Sequence, residues 1–367
     1  MGTDFVSLLR RVGPPALALV LWLPAASSGQ SVRGTVVADA DGDPVDGAFV
    51  ILLSANGDRE DAMLTEADGV FLLAAQRPGD HRVVVERIGY GTWTSGPMPL
   101  AADEVRTLTV RVPLNPVRLS ELNVDITGAR DCVADPADAV PLLRVWDEAR
   151  KALETQTWAE AADLYRIDLS LYMRELDPRS LLVMDEVSES REAVRPPPFT
   201  SLEPRSFSQD GYVREEPAGR FFYAPDGTAL LSDEFRRDHC FALTRDDVRG
   251  RPHIGISFEP NSNRTVPDIR GVLWIDEATA ELGVLEYVYQ GIPLPDGAVR
   301  ELIGGRVEFE RIDGSGPFIV DQWWIRGARP TRPLPVGDGD DGLWEPITGY
   351  WQVGGAVREV RRRPPGP

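Results

Sequence analysis

Three histidines (His81, His239, His253), two cysteines (Cys132, Cys240) and a single lysine (Lys151) are the side chains best suited to covalent, metal or proton chemistry in this chain. No histidine stands in H-E-x-x-H or H-x-x-E spacing, so no zinc ligand set of the peptidase kind is offered. The missing C-x-x-C pair argues against oxidoreductase chemistry. No G-x-S-x-G elbow occurs, and Gly314-Ser315-Gly316 reads as a turn. A phosphate-cradling G-x-x-x-x-G-K loop is ruled out as well. His81 follows a Pro-Gly pair and reads as structural, and His239, beside Cys240, reads as a packed or partly exposed imidazole. Lys151 falls on the polar side of a helical pattern and is expected in solvent. Asp39, Asp41 and Asp43 break the spacing of a calcium loop, because Gly42 precedes Asp43 and Pro44 follows it; a plain hairpin turn is expected there and an exposed acidic loop at Asp338, Asp340 and Asp341. Carboxylates remain: 58 acidic residues guarantee chance pairs, and a glycosidase needs two about 5–10 Å apart. No catalytic residue, metal ligand or cofactor is assigned.

Aromatic side chains are the remaining lead. Trp274, Tyr287, Tyr289, Trp323 and Trp324 gather in the strongest β patterns of the second half and are the candidate ligand-contacting residues. Rings of this kind either fill a sheet core or stack on sugar rings and lipid chains. Trp323 and Trp324 are adjacent, so in a regular strand they face opposite sides and one of them is expected to be partly exposed.

Composition places the whole. Hydrophobic content of 42% with 26% charged residues is that of a globular protein, and 367 residues suffice for two domains. A net charge of −19 repels phosphate backbones and anionic headgroups, which makes nucleic acid a poor partner. Arg10 and Arg11, the apolar Pro15–Leu23 and the small residues Ala25–Gly29 read as a secretory leader, residues 1–29. No transmembrane segment is expected in the mature chain, and export to the periplasm or the outer membrane follows. In an oxidising compartment the even cysteine count predicts a Cys132–Cys240 disulfide closing a loop of about 108 residues.

The elements that must position these groups are mainly β. Short runs at Val32–Ala38, Ala48–Ser54, Ala62–Thr65, Val70–Ala75, His81–Ile88 and Val105–Leu114 alternate with Gly, Asp and Pro turns, the pattern of a small β-sandwich. A helix is expected within Asp131–Ala162, with Leu142, Val145, Trp146, Ala149 and Leu153 on one apolar face packed against a sheet. Long strands follow at Leu164–Leu176 and Leu181–Arg191, then a proline-rich loop at Arg195–Pro198 and a short helix within Thr228–Cys240. Hairpins are expected from Asp268–Asp276 with Glu281–Gln290, and from a strand around Ile303–Phe309 with Phe318–Gly327.

Four motifs carry a resemblance: V-x-G-x-V at Val32–Val36, P-V-x-G-A-x-V at Pro44–Val50, T-x-x-D-G-x-F at Thr65–Phe71 and P-G-x-H-x-V-x-V at Pro78–Val85, closed by R-x-G-Y at Arg87–Tyr90. Together they resemble the carboxypeptidase regulatory-like domain, a transthyretin-like, seven-stranded β-sandwich also found in front of TonB-dependent receptors. The resemblance implies a non-catalytic folding or docking module. G-V-L-W-I-D-x-x-T-A-x-L at Gly271–Leu282 resembles, over a shorter stretch, the lipoprotein-carrier half-barrel, in which a curved sheet wraps a helix; an unnamed antiparallel α+β domain is the other reading.

The expected organisation is a leader (1–29), a sandwich (30–116), a linker (117–134), a helix-plus-antiparallel-sheet domain (135–362) and a tail (363–367). The function read from it is a non-enzymatic, exported cell-envelope protein that binds or scaffolds an envelope protein, a glycan or a lipid. Two alternatives stand beside it: a carboxylate-dependent hydrolase of polysaccharide or peptide, and an accessory subunit of a TonB-dependent uptake system.

Overall fold

Alternation of buried and exposed side chains builds the first unit. The computed structural model describes residues 29–114, 136–217, 219–330 and 346–363; the segments expected as a leader, a linker and an acidic loop, and the end of the expected tail, lie outside these. Eight strands form two sheets: β1 (Ser31–Ala38), β2 (Phe49–Ser54), β3 (Arg59–Leu64), β4 (Val70–Ala74), β5 (Gly79–Glu86), β6 (Trp93–Thr94), β7 (Met98–Leu100) and β8 (Val105–Val112). One sheet runs β4-β1-β8, with β1 and β8 parallel; the other runs β3-β2-β5-β6, with β7 also on β5. Val32, Val36, Val50, Leu52, Phe71, Leu73, Val83, Val85 and Val110 meet between them, as period-two patterning requires. The eighth strand beyond the expected seven comes from splitting the segment after β5 into the short β6 and β7.

The motifs have physical reasons. A Cβ at Gly34 would lie 2.1 Å from the Leu108 carbonyl oxygen, so only glycine lets β8 approach β1 there. The buried Thr65 hydroxyl donates to the Val45 carbonyl (2.6 Å) and accepts from the Ala48 amide (2.9 Å), which ties the turn to β2. Asp41 Oδ1 accepts from the Asp43 amide and Asp68 Oδ1 from the Val70 amide; both aspartates are turn formers.

The second unit is one long helix against one large sheet. Helix α1 (Pro136–Ala161) is followed by β9 (Tyr165–Leu176), β10 (Val183–Val194), α2 (Pro204–Asp210), β11 (Val213–Glu216) and β12 (Gly219–Phe222). Then come α3 (Gly227–Leu231), α4 (Asp233–Asp238), β13 (His239–Val248), β14 (Arg251–Pro260), β15 (Asp268–Asp276), β16 (Leu282–Gln290), β17 (Gly304–Arg311), β18 (Phe318–Pro330) and β19 (Ile347–Arg362). Nine strands pair antiparallel in the order β10-β9-β19-β18-β17-β16-β15-β14-β13. Strands β13 to β19 form a meander, and β19 returns the sheet to β9. The single helix expected around Thr228–Cys240 is two, because Ser232 leaves helical geometry and its hydroxyl caps α4 by accepting from the Phe235 amide.

Val145, Ala149 and Leu153 of α1 are fully buried against the sheet, in one core with Ile254, Leu273, Leu285, Val307 and Trp323. The opposite face of α1 meets the sandwich. This corrects the expectation for Lys151: its side chain is 3% exposed, because the surface that periodicity marks as solvent is covered by the first unit. No helix among the described residues is long and apolar enough to cross a membrane.

Candidate functional site

The contact between the two units is polar and deep. It uses the R-I-G-Y segment that closes the sandwich pattern. Ile88 packs into the core of the second unit, and Arg87 Nε donates to the Asp46 carbonyl at 2.9 Å. The Gly89 amide donates to Glu148 Oε2 at 3.0 Å, and Lys151 Nζ donates to the Tyr90 carbonyl and to Glu148 Oε1, both at 2.9 Å. Next to Lys151 on the helix, Arg150 binds Glu86 of β5 through both terminal nitrogens and also pairs with Glu154. Burial pushes the Glu148 carboxyl above its ordinary value even with the Lys151 ammonium beside it. For Arg150 burial works the other way, but the bonds and charges of Glu86 and Glu154 outweigh it and raise the guanidinium. Burial, with Arg87 nearby, brings Arg311 down to about 10, while Glu281 opposes the fall.

Beside this clamp lies a groove of about 490 Å³ between the units. The end of α1 supplies Trp158 and the start of β9 supplies Leu164 and Tyr165. Strand β3 and its following turn add Met63, Leu64 and Glu66; the β17–β18 turn adds Asp313 and Pro317, and β19 adds Arg362. Trp158 is held by Phe49 of β2, with ring centroids 5.1 Å apart. The walls are pinned by a close approach: a Cβ at Gly47, whose φ is +66°, would lie 2.5 Å from the Ser315 carbonyl oxygen. Trp158 and Tyr165 are half-buried, Glu66, Asp313 and Arg362 are exposed, and burial pushes the Tyr165 hydroxyl above its ordinary value. The result is two aromatic rings in an apolar floor with carboxylates and a guanidinium on the rim, a combination typical of ligand sites at domain interfaces.

The five aromatics singled out in the sequence lie elsewhere. Trp274, Tyr287, Tyr289 and Trp323 are at most 8% exposed and are packing residues of the sheet. Tyr287 and Tyr289 contact edge to face, Tyr289 donates to the Tyr223 carbonyl, and Trp274 donates to Glu286. Trp324 faces away from Trp323, half-exposed, with Arg326 over its ring, and lines a shallow depression of about 330 Å³ with Arg270, Glu286 and Glu301. A smaller apolar groove, about 190 Å³, lies against Phe222, Leu294 and Trp351. Trp158 and Tyr165 were legible only as members of a helix and a strand; nothing in their spacing brings them together.

The histidines are separated. His81 bonds the Gly79 carbonyl and Glu60, His239 bonds the Phe235 carbonyl and Asp268, and His253 bonds the Arg251 carbonyl. Among the described residues no cluster of three or more His, Cys, Asp or Glu side chains is placed to hold a metal ion. Two raised carboxyls lie where α1 and α3 meet: Glu160, pushed up to about 7 by burial with a further contribution from Asp226, and Asp226, itself raised by burial. They cap and pack helices and do not line the groove. Cys132 lies outside the described residues. Cys240 starts β13 with Sγ 2.8 Å from Asn261 Oδ1, and no cysteine among the described residues is free.

Residues 31–113 match the family model of the carboxypeptidase regulatory-like domain. The N-terminal unit is such a domain, with the sandwich that the motifs imply. A search of curated proteins finds no match for the chain. Among solved structures, a DUF1329 family protein from Desulfovibrio piger is similar at 13% identity over 62% of this chain and 95% of that one, with a TM-score of 0.29. A candidate carbohydrate-binding protein from Bacteroides uniformis is 9% identical over 67% and 98% of the two chains, with a TM-score of 0.20. A type II cohesin–X-dockerin complex from Acetivibrio cellulolyticus is 18% identical with a TM-score of 0.19, covering 23% of this chain; the chain spans 57% of that one. Similarity this low carries no functional argument.

Proposed function

We propose that this protein is an exported, non-enzymatic binding protein of the cell envelope that takes an oligosaccharide into the groove between its two units. The observation that carries the reading is the groove itself: about 490 Å³, with Trp158 and Tyr165 on its floor and Glu66, Asp313 and Arg362 on its rim. Aromatic rings present apolar faces to the C–H faces of a sugar, while carboxylates and a guanidinium bond its hydroxyls. A volume of that size lies within the range of small-ligand sites, about 300–1,000 Å³, whereas the apolar groove at Trp351, at about 190 Å³, falls below it and favours a lipid less. Binding rather than hydrolysis is supported by where the raised carboxyls are: Glu148, Glu154, Glu160 and Asp226 sit in packed interfaces, Asp321 lies away from the groove, and the groove's Glu66 and Asp313 are exposed. Export rests on the leader, and the Cys132–Cys240 disulfide belongs to the same proposal.

Calorimetric titration of the mature chain with a panel of envelope and plant-wall oligosaccharides tests it. At least one should bind without being cleaved, and Trp158→Ala should weaken that binding about tenfold, the equivalent of one stacked ring. Equal binding by Trp158→Ala and Tyr165→Ala variants, or turnover of the sugar, would overturn it.

A further inference from the structure

The two edges of the nine-stranded sheet are treated differently. Strand β13 at one edge packs against α1 and α4. Strand β10 at the other pairs only with β9 among the described residues, and eleven of its twelve residues are exposed. Five large apolar side chains gather on this β9–β10 arm: Met173, Leu182, Val183, Met184 and Val187, each between 50% and 70% exposed. Met173 and Val187 are direct cross-strand partners, so their side chains form one patch. Open edges are usually blunted by proline, lysine or a bulge. Here the register shifts fall only at the ends, between Val183 and Asp185 and between Arg191 and Val194, and Asp185–Arg191 is a regular seven-residue run without Pro, Gly or Lys.

We infer that β10 is a docking edge for an extended segment of another protein, one that alternates basic and apolar residues and joins the sheet as a tenth strand. Charge decides the occupant. Strand β10 carries Asp185, Glu186, Glu189 and Glu192 against Arg191, a net −3, within a chain of net −19. A second copy would bring the same acidic edge against itself, and like charges directly opposite destabilise a strand pair. An anionic bilayer is repelled for the same reason. The lysines of such a strand lie on the face shared by Asp185, Val187 and Glu189, where they pair with the two carboxylates and lay their aliphatic stems over Met173 and Val187, while its main chain gains hydrogen bonds along the regular run.

The probe is a fluorescein-labelled twelve-residue peptide of alternating Lys and Val, read by anisotropy against the intact mature protein. Its controls are the same peptide with Glu for Lys and one interrupted by proline. The basic peptide should bind, and both controls should bind at least about tenfold more weakly. Val187→Asp should weaken binding to a similar extent, and the paired Glu189→Lys, Glu192→Lys variant should shift preference toward the acidic peptide; exposed positions of this kind leave folding intact. No binding of the basic peptide, equal binding of the three, a dimer in sedimentation that Val187→Asp dissolves, or binding to neutral phospholipid vesicles that Met184→Asp abolishes would each overturn the inference. Oligosaccharide binding in the groove is read separately, so either proposal can fail alone.

Discussion

Replacing Lys151 by methionine tests whether the two units are one cooperative body. Lys151 and Glu148 are 3% and 2% exposed, and the ammonium also supplies the donor for the Tyr90 carbonyl. Methionine conserves most of the volume but leaves a buried carboxylate with only the Gly89 amide, and a carbonyl with no donor. Removing one partner of a buried pair costs about 3–5 kcal/mol, chiefly the desolvation of the charge left behind. At about 2–4 °C per kcal/mol for domains of this size, the midpoint should fall by about 6–20 °C. The assay is urea unfolding at equilibrium, followed by calorimetry to see whether one transition becomes two. Adding Glu148→Gln should restore at least half of the loss, since the amide keeps an acceptor for Gly89 and carries no charge. The deficit of the single variant should also shrink as pH falls. The Glu148 carboxyl is raised in the folded state, so protonating it favours folding. A loss under about 1 kcal/mol, or a double variant as unstable as the single one, would refute the reasoning.

Other consequences are measurable. Glu160 has a folded pKa of about 7 against an unfolded value of 4.5, so the folded protein keeps a proton that the unfolded chain has released. Stability should therefore fall as pH rises from 4.5 to 7, by at most about 3 kcal/mol, and Glu160→Gln should flatten that slope in denaturation series across this range. Gly47→Ala would strain a positive φ and press on the Ser315 carbonyl; it should cost about 1–3 kcal/mol and reduce groove binding, read by urea unfolding and calorimetric titration. Unreduced mature protein should resist thiol alkylation when unfolded, and reduction should add two adducts by mass spectrometry, with a stability loss of about 2–5 kcal/mol.

Much of the fold was legible because the signals are local. Val32, Val36, Phe71 and Leu73 alternate within short strands, and Val145, Ala149 and Leu153 recur at helical spacing; both patterns depend only on neighbours along the chain. The turns at Asp41-Gly42 and Asp68-Gly69 were legible for the same reason. The site was not. Met63, the Trp158–Tyr165 stretch and Asp313 come from three separated segments, and their meeting depends on how two finished units dock. Four of the five aromatics that cluster in the strongest strands, all but Trp324, were drawn inward by that very strength, since a dense apolar period marks the buried face.

Lys151 shows where the reasoning from periodicity ends. A helix face with Asp147, Glu148, Arg150 and Lys151 reads as solvated when its only partner is one sheet, yet here a second unit covers Glu148 and Lys151 and meets Arg150 with Glu86, while Asp147 stays partly exposed and pairs within the helix. The sandwich motif that supplies the match, Arg87–Tyr90, is the same one that marks the family. A module joined by an exposed linker would leave that turn free; this one inserts Ile88 into its neighbour's core and gives two backbone groups to its neighbour's buried ion pair. The sandwich therefore forms one wall of the groove, held to the other by these contacts. Ligand affinity should accordingly depend on residues that never touch the ligand, Lys151 and Gly47 first among them.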